Sequence, residues 1–289
     1  MTMLSLVLAA AAASAAEWIS VPDSPVATEA DRTAQRAADG TSCFARRFAN
    51  RARVEKAEWT TTALGVYETS VNGRRVGSSF LKPGFTHVRK TRRSFTDDVT
   101  ALLDLRAGAT NELSAEVSSG WWRDKIVNYA GRKSAFYGVL RLHYADGSEE
   151  SVVTEPRHWR ASIGGPVTHA GIFDGEEFDA RVRRPSPDEM GPAERNEEFK
   201  GEILPSAGGE VTLRMDLAMT KGPYSLRKGE TLVVDFGQNC AAVPSFVFSA
   251  RRGTVLTCQP GEMLNDADRG QRGCDGPKGS VYRANLRIP

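Results

Sequence analysis

The chain has 289 residues, of which 40% are hydrophobic and 26% are charged, and its net charge is only +2. This length is enough to bury a sizeable core in one large domain or two ordinary ones, which excludes a small scaffold held together by disulfides. The nearly neutral charge argues against a polyanion-binding surface, so nucleic acid is not an expected partner.

The first sixteen residues form an apolar run that ends in small residues, MTMLSLVLAAAAASAA. This pattern predicts a secretory signal over residues 1–16, although no Lys or Arg precedes Leu4. The mature protein is then expected to start near Glu17 and to be periplasmic or extracellular. No later run approaches the roughly twenty apolar residues that a membrane span needs, so we expect no membrane partner.

Residues 57–84 contain the clearest local pattern in the chain. Tyr67, Thr69 and Val71 alternate with polar neighbours, which predicts a strand with one packed face and one wet face. Asn72-Gly73 follows, and these two residue types adopt the positive φ of a type I′ turn at the least cost. The sequence therefore predicts a β-hairpin that returns through residues 74–76.

Short alternating segments separated by turn dipeptides continue after residue 40. Leu113, Ala115 and Val117 alternate with polar residues, and Leu140, Leu142 and Tyr144 do the same before the Asp146-Gly147 turn. This rhythm predicts an all-β fold, with a β-sandwich or jelly roll over residues 17–182. Scattered arginine pairs, Arg46-Arg47, Arg92-Arg93 and Arg251-Arg252, are interpreted as solvated strand edges or loops.

The character of the sequence changes over residues 183–213, where proline, glycine and charge rise and alternation fades. This composition predicts an extended connector between two β domains. Strand-like segments return at 231–235, 243–248 and 254–259, which predicts a second β-sandwich over residues 214–289 that is incomplete.

The four cysteines are compatible with export but do not define a framework. Three of them, Cys240, Cys258 and Cys274, lie close together, so a bridge within that trio and a set of buried free thiols with Cys43 are both open. No Cys-x-x-Cys spacing indicates a metal or redox site. The four histidines also lack the spacing at which one element supplies two metal ligands, so no metal residue is assigned.

An acidic cluster lies within the sequence FDGEEFDAR. Its members are Asp174, Glu176, Glu177 and Asp179. Glycosidic hydrolysis needs two carboxylates at a fixed separation across the scissile bond, and this cluster offers candidates. A turn with a solvated strand edge, a calcium loop, or a set of partners for Arg181 and Arg183 would produce the same pattern.

Aromatic and charged residues combine at the end of a predicted strand, in Trp121, Trp122, Arg123 and Asp124. Sugars present C–H faces that stack on indole rings and hydroxyls that bind polar groups at the rim, so this cluster and the acidic cluster are our candidate carbohydrate-binding residues. The alternative is that one tryptophan belongs to the core and the other to a domain contact.

Several ordered segments resemble one enzyme family. They are LGVYETSVNGRRVGSSFLKPGFTH, DDVTALL, GATNELSAEVSSGWWRDK, LRLHYADGSEESVVTEPRHWRAS and FDGEEFDARV, followed later by VVDFGQNCAAVPSFVFSARRGTVLTCQPGEML and YRANLR. The pattern is similar to the N-terminal β domains of bacterial α-L-rhamnosidases, glycoside hydrolase family 78. The resemblance covers most of residues 45–289 and implies a galactose-binding-like jelly roll followed by a concanavalin-like sandwich.

The resemblance also implies a limit on activity. In this family the catalytic carboxylates belong to an (α/α)6 barrel that follows the β domains, so no catalytic residue can be transferred to this chain. We therefore expect the non-catalytic N-terminal part of an exported rhamnosidase, inactive alone, from a truncated gene, a split reading frame or an assembly fragment. A rhamnose-containing carbohydrate and a separately encoded barrel are the implied partners.

Some β domains of the family bind rhamnose through calcium, using an Asp-Asn pair just before the aromatic residue of the hairpin. Leu64-Gly65 occupies that place here and supplies no side-chain oxygen, so calcium is disfavoured and no cofactor is assigned. Two other functions stay open: a secreted carbohydrate-binding module without hydrolytic activity, and a structural adhesin-like sandwich.

Overall fold

The computed structural model describes residues 15–22, 40–123, 130–172, 175–208, 210–213, 223–237, 241–243, 245 and 247–261. The chain divides into two compact units, Met1–Leu213 and Arg214–Pro289. Within the described ranges the helical structure consists of two 3-10 turns, Thr100–Leu102 and Pro187–Glu189. In the same ranges no helix has the length and apolar character needed to cross a bilayer.

The described part of the first unit is built from short strands. They are β1 (Ile19–Ser20), β2 (Ser42–Ala49), β3 (Val54–Leu64), β4 (Val66–Val71), β5 (Arg74–Arg75), β6 (Thr91–Asp98), β7 (Thr110–Ser118), β8 (Ala135–Tyr144), β9 (Glu149–Val153), β10 (Arg160–Ile163), β11 (Val167–Gly171), β12 (Gly175–Phe178), β13 (Gly191–Pro192), β14 (Glu194–Arg195) and β15 (Glu202–Pro205).

The strands form two main sheets and a small ribbon. One sheet has the order β13-β10-β2-β7-β4-β5, and the other has the order β14-β1-β8-β3-β6-β15 with β9 paired to β8. β11 and β12 form a separate antiparallel ribbon. Most of the pairs in the two sheets are antiparallel, whereas β15 runs parallel to β6. The all-β expectation for this unit is confirmed.

The hydrophobic core lies between the two sheets. Phe44 of β2 stacks on Phe136 of β8 with ring centroids 6.0 Å apart, and Trp59 of β3 meets the same ring edge-on at 6.1 Å. Alternation places these side chains inward, because successive residues of a strand point to opposite faces. Leu113, Leu140 and Leu142, three of the residues predicted to be apolar and inward, are fully buried in this core.

The predicted hairpin is confirmed in detail. β4 pairs with β5 through Ser70 with Arg75 and Val71 with Arg74. Asn72 and Gly73 both have positive φ, 50° and 74°, as a type I′ turn requires. Tyr67 and Val71 are buried in the core, so the packed face of the strand is the one that the alternation predicts.

The segment predicted as a connector differs from that expectation. Residues 183–213 supply β13, β14 and β15, which pair with β10, β1 and β6 respectively. Phe80 also forms a bridge with Val211. The segment carries little alternation because its pieces are two to four residues long and lie at sheet edges, where only a few side chains face the core. Its boundary at Leu213 nevertheless coincides with the division between the two units.

The second unit also differs from prediction over the part that the structure describes. Residues 223–237 and 247–261 contain turns and irregular backbone but no strand, and the predicted strands at 231–235 and 254–259 are not formed. The apolar side chains expected to face a core are exposed, including Phe248 at 60% and Val255 at 85%. A strand needs a ladder partner and a surface to cover, and the described residues of this unit supply neither.

Two of the four cysteines fall within the described ranges. Cys43 is a buried free thiol that donates to the carbonyl oxygen of Gly164 over 3.4 Å, and Cys258 is an exposed free thiol. Cys240 and Cys274 lie outside the described residues, so a bridge between those two stays a prediction.

Candidate functional site

The aromatic half of the predicted site lies in a tight turn after β7. The backbone N–H groups of Trp122 and Arg123 both donate to the carbonyl oxygen of Ser119, over 3.1 and 3.2 Å. This turn gives the two indole rings opposite surroundings. Trp122 is buried at 1% exposure, whereas Trp121 is only half-buried and its ring lies 5.8 Å from that of Phe85.

Trp122 is a packing residue in this structure. It clusters with Leu64 and Phe199, and its indole N–H donates to the carbonyl oxygen of Lys133 over 2.8 Å. A ring with this burial and a satisfied N–H has no free face for a sugar. Trp122 therefore agrees with the alternative prediction that one tryptophan of the pair belongs to the core. Arg123, the next residue, is buried as well.

The guanidinium of Arg92 stacks on two rings of this cluster. It lies 5.0 Å from the Trp122 ring and 5.6 Å from the Phe199 ring. Burial lowers the pKa of Arg92 to about 10, because removing a guanidinium from water disfavours its charged form. The prediction that Arg92-Arg93 is a solvated pair is thus wrong for its first member: alternation on β6 turns Arg92 inward and leaves Arg93 exposed.

The acidic half of the predicted site lies on the β11–β12 ribbon. Glu176 and Glu177 are exposed on β12, where they pair with Ala170 and His169 of β11. Asp179 follows the ribbon and accepts a hydrogen bond from Arg181 Nε over 2.8 Å, so its charge is balanced by that guanidinium. Asp124 and Asp174 lie outside the described residues.

The structure brings the two halves to the same end of the sandwich. Gly120 forms a parallel bridge with Gly171, and its backbone N–H donates to the carbonyl oxygen of Ala170 over 3.3 Å. Trp121 is thus next to the residue that contacts β11, while Glu176 is paired directly with Ala170. The backbone contact of Gly120 therefore brings the turn that carries Trp121 to the ribbon that carries Glu176 and Glu177.

Phe85 contacts Trp121 and was not a candidate from sequence. It is 59% exposed and lies in the loop after the Lys82-Pro83 peptide, which is cis. The Pro83-Gly84 dipeptide predicts a turn, but a turn pattern does not predict that the ring of Phe85, the next residue, contacts Trp121.

The place at which some β domains of rhamnosidases hold calcium is packed with apolar groups. Leu64 is fully buried against Trp122, and a Cβ added to Gly65 would lie 2.1 Å from the carbonyl oxygen of Ser118. Neither residue presents a side-chain oxygen, and calcium is bound by oxygen ligands.

Comparison with known proteins identifies two matching family models. The α-L-rhamnosidase N-terminal domain matches residues 52–202, and the bacterial α-L-rhamnosidase concanavalin-like domain matches residues 225–289. The first model alone covers more than half of the chain, and the two follow each other in the order expected from the sequence resemblance.

Curated relatives and solved structures agree with these models. The chain is 32% identical to an α-L-rhamnosidase from Streptomyces avermitilis, and the match covers 81% of this chain and 22% of the relative. It is 27% identical to an α-L-rhamnosidase from Alteromonas sp., and that match covers 88% of this chain and 28% of the relative. It spans about a quarter of the length of these relatives. The structure of the Streptomyces enzyme complexed with L-rhamnose is similar with a TM-score of 0.54 at 29% identity, covering 62% of this chain and 18% of that one. An Aspergillus terreus rhamnosidase gives 0.52 at 25%, covering 63% and 21%.

Proposed function

This chain belongs to the α-L-rhamnosidase N-terminal domain family, and we propose from that membership that it is a non-catalytic β portion of an α-L-rhamnosidase. The observation that supports this most directly is the match to the N-terminal domain over residues 52–202, within a chain that spans about a quarter of its curated relatives. Its role is then to support a catalytic region that removes terminal α-L-rhamnose from glycans or glycosides.

The geometry of the acidic ribbon supports the absence of catalysis by this chain alone. Glu176 and Glu177 are consecutive on β12, so their side chains point to opposite faces of the ribbon. A glycosidase places two carboxyl groups about 5 to 10 Å apart on either side of one scissile bond. Two carboxylates on opposite faces of an exposed ribbon do not form such a cleft.

An assay on an aryl α-L-rhamnoside tests the proposal. We expect the purified chain to release no aryl alcohol above the rate of the buffer. Turnover that falls when Glu176→Gln or Glu177→Gln is introduced would contradict it, and Glu202→Gln, an exposed acid on β15, is the matched control. Sequencing the DNA after the codon for Pro289 is a second test, since a frame encoding a helical barrel is the expected result.

Export to the periplasm or the medium is part of the same proposal. Glu17 is already bonded to the rest of the fold. Its backbone N–H donates to the carbonyl oxygen of Thr154 over 2.8 Å, and its carboxylate accepts a hydrogen bond from Arg195 Nε over 2.9 Å. Cleavage just before Glu17 would leave these contacts intact. Mass spectrometry of the protein from its own host should give an N-terminus at or near Glu17, and an intact Met1 would contradict export by this route.

A carbohydrate-binding module is the second candidate, favoured by the aromatic pair of Trp121 and Phe85 and by the contact of the Trp121 turn with the acidic ribbon. Titration with L-rhamnose, followed by tryptophan fluorescence, should saturate in the millimolar range if this function is present. Trp121→Ala and Phe85→Ala should then abolish the change, whereas Phe178→Ala, an exposed ring on β12, should not. A flat titration of the folded protein would eliminate this candidate.

A further inference from the structure

A cavity of about 280 Å³ opens beside the parallel pair of β6 and β15. Its wall includes Thr86 and Thr91 on one side, Arg92 and Arg93 along β6, and Ala207 and Gly208 after β15. This volume is close to the lower limit of small-molecule sites, about 300 Å³. The cavity lies within the first unit and is separate from the acidic ribbon.

The described lining of this cavity carries positive charge and no negative charge. None of the described residues that line it is acidic, and within the described part of the chain neither Arg92 nor Arg93 has a carboxylate at ion-pair distance. By contrast, Arg47, Arg106, Arg181, Arg183 and Arg195 all form ion pairs at the surface. Arg92 thus differs from these five arginines in being buried without a carboxylate partner among the residues that the structure describes.

Arg92 also has unused hydrogen-bonding capacity. It is 3% exposed, its Nε has no hydrogen-bond partner, and its Nη1 makes only long contacts with Thr86 Oγ1 at 3.3 Å and the Thr91 carbonyl oxygen at 3.4 Å. A guanidinium has five N–H donors in a planar fork, which matches the two oxygens of a carboxylate. A buried donor without a partner is costly, so a bound acceptor would satisfy it.

The surroundings favour a sugar acid over a simple anion. Phe85, which is exposed, and Trp121, which is half-buried, form an aromatic pair. Each is next in sequence to a residue at or against the cavity: Phe85 precedes Thr86, and Trp121 precedes Trp122, on which Arg92 stacks. Aromatic rings bind the C–H faces of a pyranose, while a guanidinium binds its carboxylate.

We propose that this cavity is a binding site for the carboxylate of an acidic sugar residue, held by the guanidinium of Arg92 and attracted by the charge of Arg93 on the exposed wall, with the sugar ring extending toward Phe85 and Trp121. The site requires no catalytic region, so it stands whether or not the rhamnosidase proposal holds. A negative result in the rhamnoside assay therefore says nothing about this site, and a negative sugar-acid titration says nothing about the rhamnosidase proposal.

Calorimetry of the full 289-residue chain at low salt tests the site with three probes: D-galacturonate, D-galactose and acetate. We expect galacturonate to bind at least about tenfold more tightly than either of the others, since only it presents both the carboxylate and the ring. No binding of galacturonate to the folded protein would overturn the site. Equal affinity for galactose would overturn the role of charge, and equal affinity for acetate would overturn the role of the sugar.

Variants locate the site. Arg93→Gln removes an exposed charge from the wall and should weaken galacturonate binding about tenfold, while Arg141→Gln, an exposed arginine on β8, should leave it unchanged. Arg92→Lys retains the charge but loses the fork and Nε, so it should weaken binding by a similar factor, with tryptophan fluorescence used to confirm folding. If neither Arg93→Gln nor Arg92→Lys alters galacturonate binding, the assignment of the site to this cavity is wrong.

Discussion

Lys82 Nζ lies 3.3 Å from Asp97 Oδ2, beneath the surface of the first unit. The Lys82 side chain is 4% exposed, and its ammonium group also lies 5.4 Å from the Tyr67 ring and 5.7 Å from the Phe95 ring. This pair connects the loop after the hairpin to β6, so the position of that loop depends on a charge that the fold has removed from water.

Neutralising Asp97 should therefore destabilise the first unit. Asp97→Asn leaves the buried ammonium without its counter-charge, and we expect the free energy of unfolding to fall by about 2 kcal/mol. Breaking a fully buried pair costs about 3 to 5 kcal/mol. The loss here should be smaller because Asp97 retains some contact with water. All five tryptophans belong to this unit, so denaturant unfolding followed by their fluorescence measures it. The control is Glu58→Gln, which breaks the exposed pair with Lys56 and should cost at most about 1 kcal/mol. Equal losses in the two variants would contradict a special role for the buried pair.

Gly65 and Gly73 should respond differently to the same substitution. Both have positive φ, but a Cβ at Gly65 would meet the Ser118 carbonyl oxygen at 2.1 Å, whereas a Cβ at Gly73 would meet nothing within 4 Å. Gly73→Ala should cost about 1 kcal/mol from backbone strain alone. Gly65→Ala adds a clash with backbone and should cost about 3 kcal/mol or more. A Gly65 variant as stable as the Gly73 variant would show that β4 and β7 can separate at this end of their pairing.

Phe199 should contribute to stability although its segment looks like a connector in sequence. Its ring lies 5.6 Å from Trp18 and 6.4 Å from Trp122, and it is buried. Phe199→Ala should lower the free energy of unfolding by about 3 kcal/mol. Leu204→Ala, in β15 but 45% exposed, should cost less than about 1 kcal/mol. If denaturant midpoints show no loss in the Phe199 variant, residues 183–213 are a connector after all.

Cys43 should be protected from alkylation in the native protein. Burial raises its pKa to about 12, so at pH 8 only about one thiol in ten thousand is the reactive thiolate. Iodoacetamide at pH 8 should modify the exposed Cys258 first and reach Cys43 only after denaturant is added. Peptide mass spectrometry reads out both sites. Equal labelling of the two in the native state would contradict the burial of Cys43.

The same thiol should make stability depend on alkaline pH. Its pKa is higher in the folded state than the value of about 8.5 in an unfolded chain, so the folded state retains the proton where the unfolded state loses it. The stability associated with the neutral thiol is therefore complete below about pH 8.5 and falls as the pH rises from there toward 12. Cys43→Ala should flatten this part of the profile, and an unchanged slope would assign it to other groups.

Both halves of the candidate site could be named from sequence, but their surroundings could not. The tryptophan pair and the acidic cluster are visible as local composition. Which indole is buried depends on Phe199, more than seventy residues away, and the meeting of the halves depends on the bridge between Gly120 and Gly171. For the same reason Phe85 was not a candidate and Arg92 was predicted to be solvated, since neither has a local pattern that reveals its neighbours.

The sequence by itself determined the strands and turns whose cause is local. The alternation around Tyr67, the Asn72-Gly73 turn and the family resemblance all follow from residues near one another in the chain. Only the tertiary structure decided that residues 183–213 complete two sheets and that Arg92 is buried beside an open cavity. Edge pairing and burial depend on contacts between segments about a hundred residues apart, and such contacts leave no periodic trace in either segment.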